Sequence, residues 1–207
     1  VIDLRNNGGG SLKTVVDMAG MFIESGPVVQ VKYFDKEKQV LRDRDRSILW
    51  RGPMVILVNE GSASASEILA AAMQDYERAI IIGGNQTWGK GTVQNVFPLN
   101  RMVRGNTKGD LGALRYTTQK YYRVNGGSVQ LEGVKSDINL PFRYKYLDFG
   151  EKDSENPMQW DEIENINYQK WNSNFDFDFA IKKSQKRMKE TEHLKLVDEN
   201  AKWIKDI

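Results

Sequence analysis

The stretch that most constrains the fold of this chain is an apolar run at residues 53–58, followed by small residues and then by an alanine-rich segment. A short run of branched apolar residues is typical of a strand that is buried on both faces. Residues 67–76 have helical composition, and residues 79–82 form a second apolar run. This alternation of strand, helix and strand predicts an α/β core.

The first third of the chain follows the same alternation. Residues 1–5 predict a strand, three glycines at 8–10 predict a turn, and apolar residues at helical spacing from Leu12 to Ile23 predict a helix that ends at Gly26-Pro27. Residues 28–34 predict a strand, and the charged residues 35–46 predict an exposed hairpin or loop.

The remainder of the chain predicts more strands and then a change of architecture. Residues 91–99 and 114–124 read as strands, and Asn125-Gly126-Gly127 predicts a hairpin into a strand at 128–131. From about residue 144 the composition shifts, with an acidic linker at 148–159 and two predicted helices within 178–205. We therefore divide the chain into a core, 1–143, and a linker with a helical tail, 144–207.

Composition excludes several classes of function. A net charge of +2 over 207 residues gives no sign of a nucleic-acid or membrane-surface partner. The chain has no cysteine, which excludes disulfides, a thiol nucleophile and cysteine-ligated zinc. His193 is the only histidine, so a multi-histidine metal site is impossible, and a serine–histidine–aspartate triad would have to use a residue in a charged helix.

Ser64 is the first candidate for chemistry. It lies where a buried strand gives way to a helix, and the free N–H groups and dipole of a helix N-terminus favour developing negative charge. The alternative is structural, because Ser64 and Glu67 fit the S-x-x-E pattern of a capping box. By composition, Ser62 or Ser66 could equally be the reactive serine.

Lys90 is the second candidate, because it stands between two glycines and close to Trp88 and Val93. A lysine in an apolar setting can serve as a general base, and serine activated by lysine is a solution that needs no histidine. The rival is a phosphate-binding loop, which Gly84-x4-Gly89-Lys90 nearly matches. Gly91 fails that pattern, and the following residues read as a strand where such a loop requires a helix.

Two further groups complete the constellation. The glycines at 8–10 could supply a backbone N–H to an oxyanion, together with Ala65, the residue after Ser64. Asp75 lies on the same helical face as Ser64 but about three turns, or ~16 Å, further along. The spacing leaves two interpretations of Asp75: a residue that supports or orients the site without touching Ser64, or a surface residue at the C-terminal end of the helix.

Several separated motifs resemble the C-terminal processing, or tail-specific, serine peptidases, in particular the larger periplasmic type. The resemblance covers about residues 1–140, and residues 144–207 are more loosely similar to the helical C-terminal region of that type. The motifs are Val1-Ile2-Asp3-Leu4-Arg5-Asn6-Asn7-Gly8-Gly9-Gly10, Ser62-Ala63-Ser64-Ala65-Ser66-Glu67-Ile68, Gly89-Lys90-Gly91-Thr92-Val93-Gln94, Gln119-Lys120-Tyr121-Tyr122-Arg123-Val124-Asn125-Gly126-Gly127-Ser128 and Gly133-Val134-Lys135-Ser136-Asp137-Ile138.

The resemblance implies an α/β peptidase core related to the crotonase and Clp-peptidase spirals, with a C-terminal helical tail. It implies that Ser64 is the nucleophile, Lys90 the general base and Gln94 the support of that lysine, while Asp75 has a supporting role. It also implies an oxyanion hole formed by Gly9 or Gly10 with Ala65, and no metal or cofactor.

The resemblance further implies partners and a location. The substrates would be unfolded or C-terminally tagged proteins, recognised by apolar C-termini through a PDZ domain that precedes the core, and the protein would lie in the periplasm or cell envelope. The chain starts without an initiator Met or signal peptide, so we expect a fragment or a processed form. The alternative is a catalytically silent fragment, scaffold or binding module of the same fold.

Overall fold

The fold was analysed in a computed structural model, which describes residues 1–34, 36–147 and 149–207. Its first sheet is parallel, with strand order β1-β4-β5-β8. The strands are β1 (Ile2–Asp3), β4 (Val55–Val58), β5 (Ile80–Gly83) and β8 (Ile138–Asn139). The register pairs Ile2 with Ile56 and Val55 with Ile80. The buried apolar runs predicted from the sequence therefore lie side by side in one sheet.

The second sheet is antiparallel, with strand order β3-β2-β7-β6. Its strands are β2 (Gly26–Tyr33), β3 (Gln39–Asp43), β6 (Thr92–Pro98) and β7 (Ala113–Tyr122). The charged segment predicted as an exposed hairpin or loop over residues 35–46 contains β3, which pairs with the preceding strand β2, while Asp35 lies outside the described residues. The strand predicted at 128–131 is wrong, since these residues form turns with a single bridge from Ser128 to Tyr122.

Two helices pack against each other and join the sheets. α1 (Leu12–Gly20) is capped by Ser11, whose hydroxyl accepts a hydrogen bond from the N–H of Thr14. α2 (Ala65–Asp75) is buried along nearly its whole length, and it contacts α1, β2 and β5. An alanine-rich sequence suits this position, because small side chains allow close approach on every face. The prediction that α1 continues to Gly26-Pro27 is wrong, because these two residues begin β2.

The C-terminal region consists of an extended segment followed by two helices, α3 (Phe177–Glu190) and α4 (Glu192–Lys205). We call residues 150–171 the strap, because backbone hydrogen bonds run along it to the core. The N–H groups of Ile163, Ile166 and Trp171 donate to the carbonyls of Gly126, Val124 and Tyr76 at 2.8–3.0 Å. None of the described helices combines the length and the apolar character needed to cross a bilayer.

Candidate active site

Three loops meet at the carboxyl edge of the parallel sheet, where ligands bind in open α/β sheets. They follow β1, β4 and β5 and carry the glycines at 8–10, Ser64 and Lys90 respectively. A cavity of about 350 Å³ opens there, and its lining includes Gly10, Ser64, Ala65, Lys90 and Gln94. Most of the site residues predicted from the sequence therefore border one space, although they are spread over 85 positions of the chain.

Ser64 has a backbone conformation that sets it apart from its neighbours. Its φ of 56° and ψ of −115° are unusual for a residue with a side chain, and it is the N-cap of α2. Such an outlier at the edge of a cavity is a reason to suspect function. The structure thus presents Ser64 on a tight turn between β4 and α2.

The other two serines of the segment are held elsewhere. Ser62 is fully buried, and its hydroxyl donates to the carbonyl of Leu4 at 2.8 Å. Ser66 is also buried and donates to the carbonyl of Asn7 at 3.0 Å. Both hydroxyls tie the loop after β1 to the start of α2, and neither residue lines the cavity. Geometry therefore favours Ser64 among the three candidates.

The glycines at 8–10 differ in what their backbones do. The N–H of Gly9 donates to Oδ1 of Asn7 at 2.9 Å, so that donor is already engaged. Within the described part of the chain, the N–H of Gly10 has no such acceptor, and Gly10 and Ala65 both line the cavity. Ala65 is the first residue of α2, where N–H groups lack intrahelical acceptors. The geometry therefore favours Gly10 over Gly9 as the candidate partner of Ala65.

Gly9 instead shapes the turn at Ser64. Its φ is +106°, and a Cβ placed there would lie 2.8 Å from both the carbonyl oxygen of Ala63 and Cβ of Ser64. We expect Gly9→Ala to lower the free energy of unfolding by about 2–4 kcal/mol, through the positive φ and the overpacking together. Urea denaturation would measure this.

Gly8→Ala is the matched control for that substitution. A Cβ at Gly8 meets nothing within 4 Å, and its φ is not in the left-handed region. We expect Gly8→Ala to change the free energy of unfolding by less than about 0.5 kcal/mol. Equal effects of the two substitutions would show that Gly9 does not pack against the Ser64 turn in the way described.

Glu67 connects the serine turn to the lysine loop. Its carboxylate is fully buried and accepts hydrogen bonds from the N–H of Ser64 at 2.8 Å, of Gly89 at 2.7 Å and of Lys90 at 3.0 Å, and from the hydroxyl of Thr87 at 2.6 Å. Burial raises the pKa of Glu67 to about 7, against the opposing effect of these four donors. One buried side chain thus fixes the backbones of both candidate catalytic residues.

Lys90 lies in a loop that only glycine neighbours permit. A Cβ at Gly89, whose φ is +89°, would lie 2.9 Å from the backbone of Leu131, and one at Gly91 would lie 2.8 Å from the backbone N of Gln130. The hydroxyl of Tyr121 is within hydrogen-bond distance of the carbonyls of both Ser64 and Lys90. Tyr121 is buried, and burial raises its pKa well above the ordinary value, so it remains a neutral donor.

Gln94 and Asp75 occupy different parts of the molecule. The pairing of β6 with β7 shifts register between Val93 and Gln94, and this bulge places both residues along the cavity. Asp75, by contrast, lies at the far end of α2, where its carboxylate accepts from Arg123 at 2.6 and 3.0 Å and from Asn125 at 2.9 Å. Asp75 therefore anchors the end of β7 and does not border the cavity.

The fold does not favour the other sites that the sequence raised, namely a phosphate-binding loop and a triad that uses His193. Thr92–Pro98 is a strand, so the phosphate-loop interpretation of Gly84–Lys90 lacks the helix that it requires. His193 is exposed on α4. Over residues 1–34, 36–147 and 149–207, no three His, Asp or Glu side chains are grouped so that they could hold a metal ion. The chemistry that this site offers is that of a hydroxyl, an amine and backbone donors.

Sequence reasoning assigned no functional role to four side chains that shape the site: Glu67, Thr87, Tyr121 and Gln130. Glu67 carried a signal, because the S-x-x-E pattern marked it as a cap, but the pattern did not reveal its bonds to the lysine loop. Tyr121 belongs to a predicted strand of alternating residues, and nothing in that alternation distinguishes it from Tyr122. Gln130 lies in the segment predicted as a strand, so its side-chain contacts could not be foreseen.

Comparison with known proteins gives two family matches. Residues 1–140 match Peptidase family S41, and residues 144–207 match the C-terminal domain of tail specific protease. A "Tail-specific protease" of Haemophilus influenzae is 48% identical over 81% of this chain, and a "Carboxy-terminal-processing protease" of Bartonella bacilliformis is 40% identical over 72%. The chain spans only 24% and 33% of those two proteins.

Solved structures agree with the architecture. A photosystem II D1 C-terminal processing protease superposes with a TM-score of 0.57 and is 33% identical, covering 67% of this chain and 33% of its own. Mature CPAF in complex with lactacystin superposes with a TM-score of 0.55 at 15% identity, covering 68% and 39%, which supports the fold alone. The predicted mixed α/β peptidase core with a helical tail is confirmed.

Proposed function

This chain belongs to peptidase family S41, and we propose that it carries the catalytic residues of a serine-type endopeptidase that cuts proteins selected by their C-termini. The observation that carries the proposal is the meeting of Ser64, Lys90, Gln94, Gly10 and Ala65 around one cavity. These residues supply the nucleophile, base, supporting amide and two oxyanion donors that acyl transfer requires.

In the proposed reaction, the neutral amine of Lys90 takes the proton of the Ser64 hydroxyl as its oxygen attacks the scissile carbonyl carbon. The N–H groups of Gly10 and Ala65 hold the oxyanion of the tetrahedral intermediate. The Lys90 ammonium then gives its proton to the leaving amine, which departs as the acyl-enzyme forms. Water then attacks the ester carbonyl as the neutral lysine takes its proton, and the bond to the Ser64 oxygen breaks as the Lys90 ammonium returns a proton to that oxygen, which releases the carboxylate product and restores the hydroxyl.

The substrates that we propose are unfolded or C-terminally tagged proteins with apolar ends. The cavity supports this proposal, because Leu12, Ile68, Val93 and Val96 contribute apolar side chains beside Ser64. A PDZ domain upstream of this chain, and a location in the periplasm or cell envelope, remain part of the proposal through the family resemblance.

The test is cleavage of an unfolded protein with an apolar C-terminus, by this chain and by a longer form that restores upstream residues. We expect the longer form to cut and its Ser64→Ala variant to be inactive. Ser47→Ala is the matched control, since Ser47 is exposed and its hydroxyl donates only to Asp45. Cleavage that survives in Ser64→Ala would overturn the assignment of the nucleophile. The activity of the short chain would show whether upstream residues are needed for chemistry.

A further inference from the structure

We propose that the strap, residues 150–171, positions the catalytic lysine, and that Glu151 is the residue through which it chiefly acts. This inference rests on the proposed function, because it assigns the strap to the same Ser64–Lys90 site. The strap contacts the lysine loop directly at Trp88, before Lys90, and indirectly at Gly91, after Lys90, through the side chain of Gln130. It contributes no atom to the cavity, so its residues are positioning residues.

The first contact holds Trp88, two residues before Lys90. The N–H of Glu151 donates to the carbonyl of Trp88 at 2.9 Å, and the indole N–H of Trp88 donates back to Oε2 of Glu151 at 3.0 Å. Gly150 lets the strap come this close, since a Cβ there would lie 2.7 Å from the same carbonyl oxygen. This reciprocal pair fixes both the backbone and the ring of Trp88.

The second contact holds Gly91, the residue directly after Lys90. The N–H of Gly91 donates to Oε1 of Gln130 at 2.9 Å, and Nε2 of Gln130 donates to the carbonyl of Met158 in the strap at 3.1 Å. Gln130 is fully buried, so its amide has few other partners and its orientation is set by these two groups. The strap therefore reaches Gly91 through a single buried amide.

The two contacts complete a frame around Lys90. On the side of the buried helix α2, Glu67 accepts hydrogen bonds from the N–H groups of Gly89 and Lys90. On the outside, the N–H of Trp88 donates to the carbonyl of Ser62 at 2.9 Å, so the strap fixes a residue that already touches the serine segment. A general base must lie within hydrogen-bond reach of its proton, and displacement by 1 Å can cost on the order of a hundredfold in rate.

The experiment uses the longer form and measures how fast a fluorophosphonate phosphonylates its serine, with loss of fluoride from phosphorus. We expect Glu151→Ala to lower the saturating labelling rate about tenfold or more, with the half-saturating probe concentration unchanged. Glu151→Gln keeps an oxygen that accepts from the Trp88 indole, so it should recover the rate to within about threefold. Asp153→Ala is the matched control, because Asp153 lies in the same turn and is exposed.

Hydrogen exchange supplies a readout that a remote structural effect would not give. In Glu151→Ala the amides of residues 88–91 should exchange faster, while those of β4 remain protected. Should Glu151→Ala fail to fold, Trp88→Phe removes the same side-chain hydrogen bond from the other partner and is expected to slow labelling similarly. A normal labelling rate in a folded Glu151→Ala or Trp88→Phe variant would overturn the proposal.

The same series separates this proposal from the proposed function. Ser64→Ala and Lys90→Ala are measured beside the strap variants. If both lose labelling while Glu151→Ala labels normally, only the role of the strap is refuted. If Ser64→Ala is still labelled, the assignment of the nucleophile fails, and the proposal that the strap positions Lys90 for that serine fails with it.

Discussion

Replacing Lys90 with alanine is expected to slow acylation of Ser64 by about 10²–10⁴-fold, the usual contribution of a positioned general base. The loss should be specific to chemistry, because the Lys90 backbone N–H that donates to Glu67 is retained in the variant. Single-turnover cleavage of an activated ester substrate measures the acylation step, fluorophosphonate labelling measures the nucleophilicity of the same serine, and thermal unfolding of the same samples would check that the fold survives.

Two further variants separate proton transfer from charge. Lys90→Arg keeps a positive charge but cannot be deprotonated in proteins, so it should be as inactive as Lys90→Ala. Added primary amines should partly restore labelling in Lys90→Ala, because the missing side chain leaves room for a free amine beside Ser64. Lys13→Ala is the matched control, since Lys13 is exposed and pairs with Asp17 one turn along α1.

Full labelling of Lys90→Ala would contradict the assignment of the base. Labelling of Lys90→Arg at the parent rate would also contradict it, because a permanent cation at position 90 would then support the reaction without accepting a proton. Either result would leave Ser64 as the nucleophile and would require the proton to go to another group or to water. In that case the Ser64 turn and its oxyanion donors would account for the reactivity.

Much of this site could be predicted because its parts follow local rules. Parallel strands place their carboxyl ends on one edge, so apolar runs followed by Gly8–Gly10, Ser64 and Lys90 had to converge there. Composition left Ser62, Ser64 and Ser66 open and the family resemblance pointed to Ser64, while the structure separates the three by burial and partners. Helix geometry alone was enough to keep Asp75 away from Ser64.

The rest depended on contacts between residues far apart in the chain. The end of α1 was misjudged because Phe22 and Ile23 continue its apolar pattern, although the chain has already turned toward β2 after Met21. Gln130 and Tyr121 each act through side-chain contacts to two backbone groups, which leave no periodic trace in a sequence. The strap has little regular structure, so no pattern of hydrophobic spacing could place it beside Trp88.

Removing the Glu67 carboxylate is expected to destabilise the fold as well as the site. Glu67→Ala would leave three backbone N–H groups and the Thr87 hydroxyl without their acceptor. Each buried donor left unpaired costs about 1–3 kcal/mol. Water that fills the space of the lost side chain pairs some of these donors, so we expect the free energy of unfolding to fall by about 3–5 kcal/mol. Glu67→Gln should lose less than Glu67→Ala, because its amide oxygen still accepts hydrogen bonds. It should still be less stable than the parent, because its NH₂ group cannot accept from the donors that it faces. Urea denaturation measures both.

The pH dependence of the Glu67→Gln effect gives the sharper test, because its sign follows from burial. The pKa of Glu67 rises from 4.5 to about 7 on folding, so the folded state binds a proton that the unfolded state releases between these values. The stability contributed by protonation of Glu67 in the folded state is therefore fully present below pH 4.5 and is lost as pH rises through 7.

Glu67→Gln does not titrate, so the difference in free energy of unfolding between the parent and this variant should be larger at pH 5 than at pH 8. Glu132→Gln is an exposed control at a carboxylate that pairs with Lys135, and it should show no such trend. A Glu67→Gln effect that is equal at both pH values, or larger at pH 8, would mean that the four donors outweigh burial and keep this carboxylate ionised throughout.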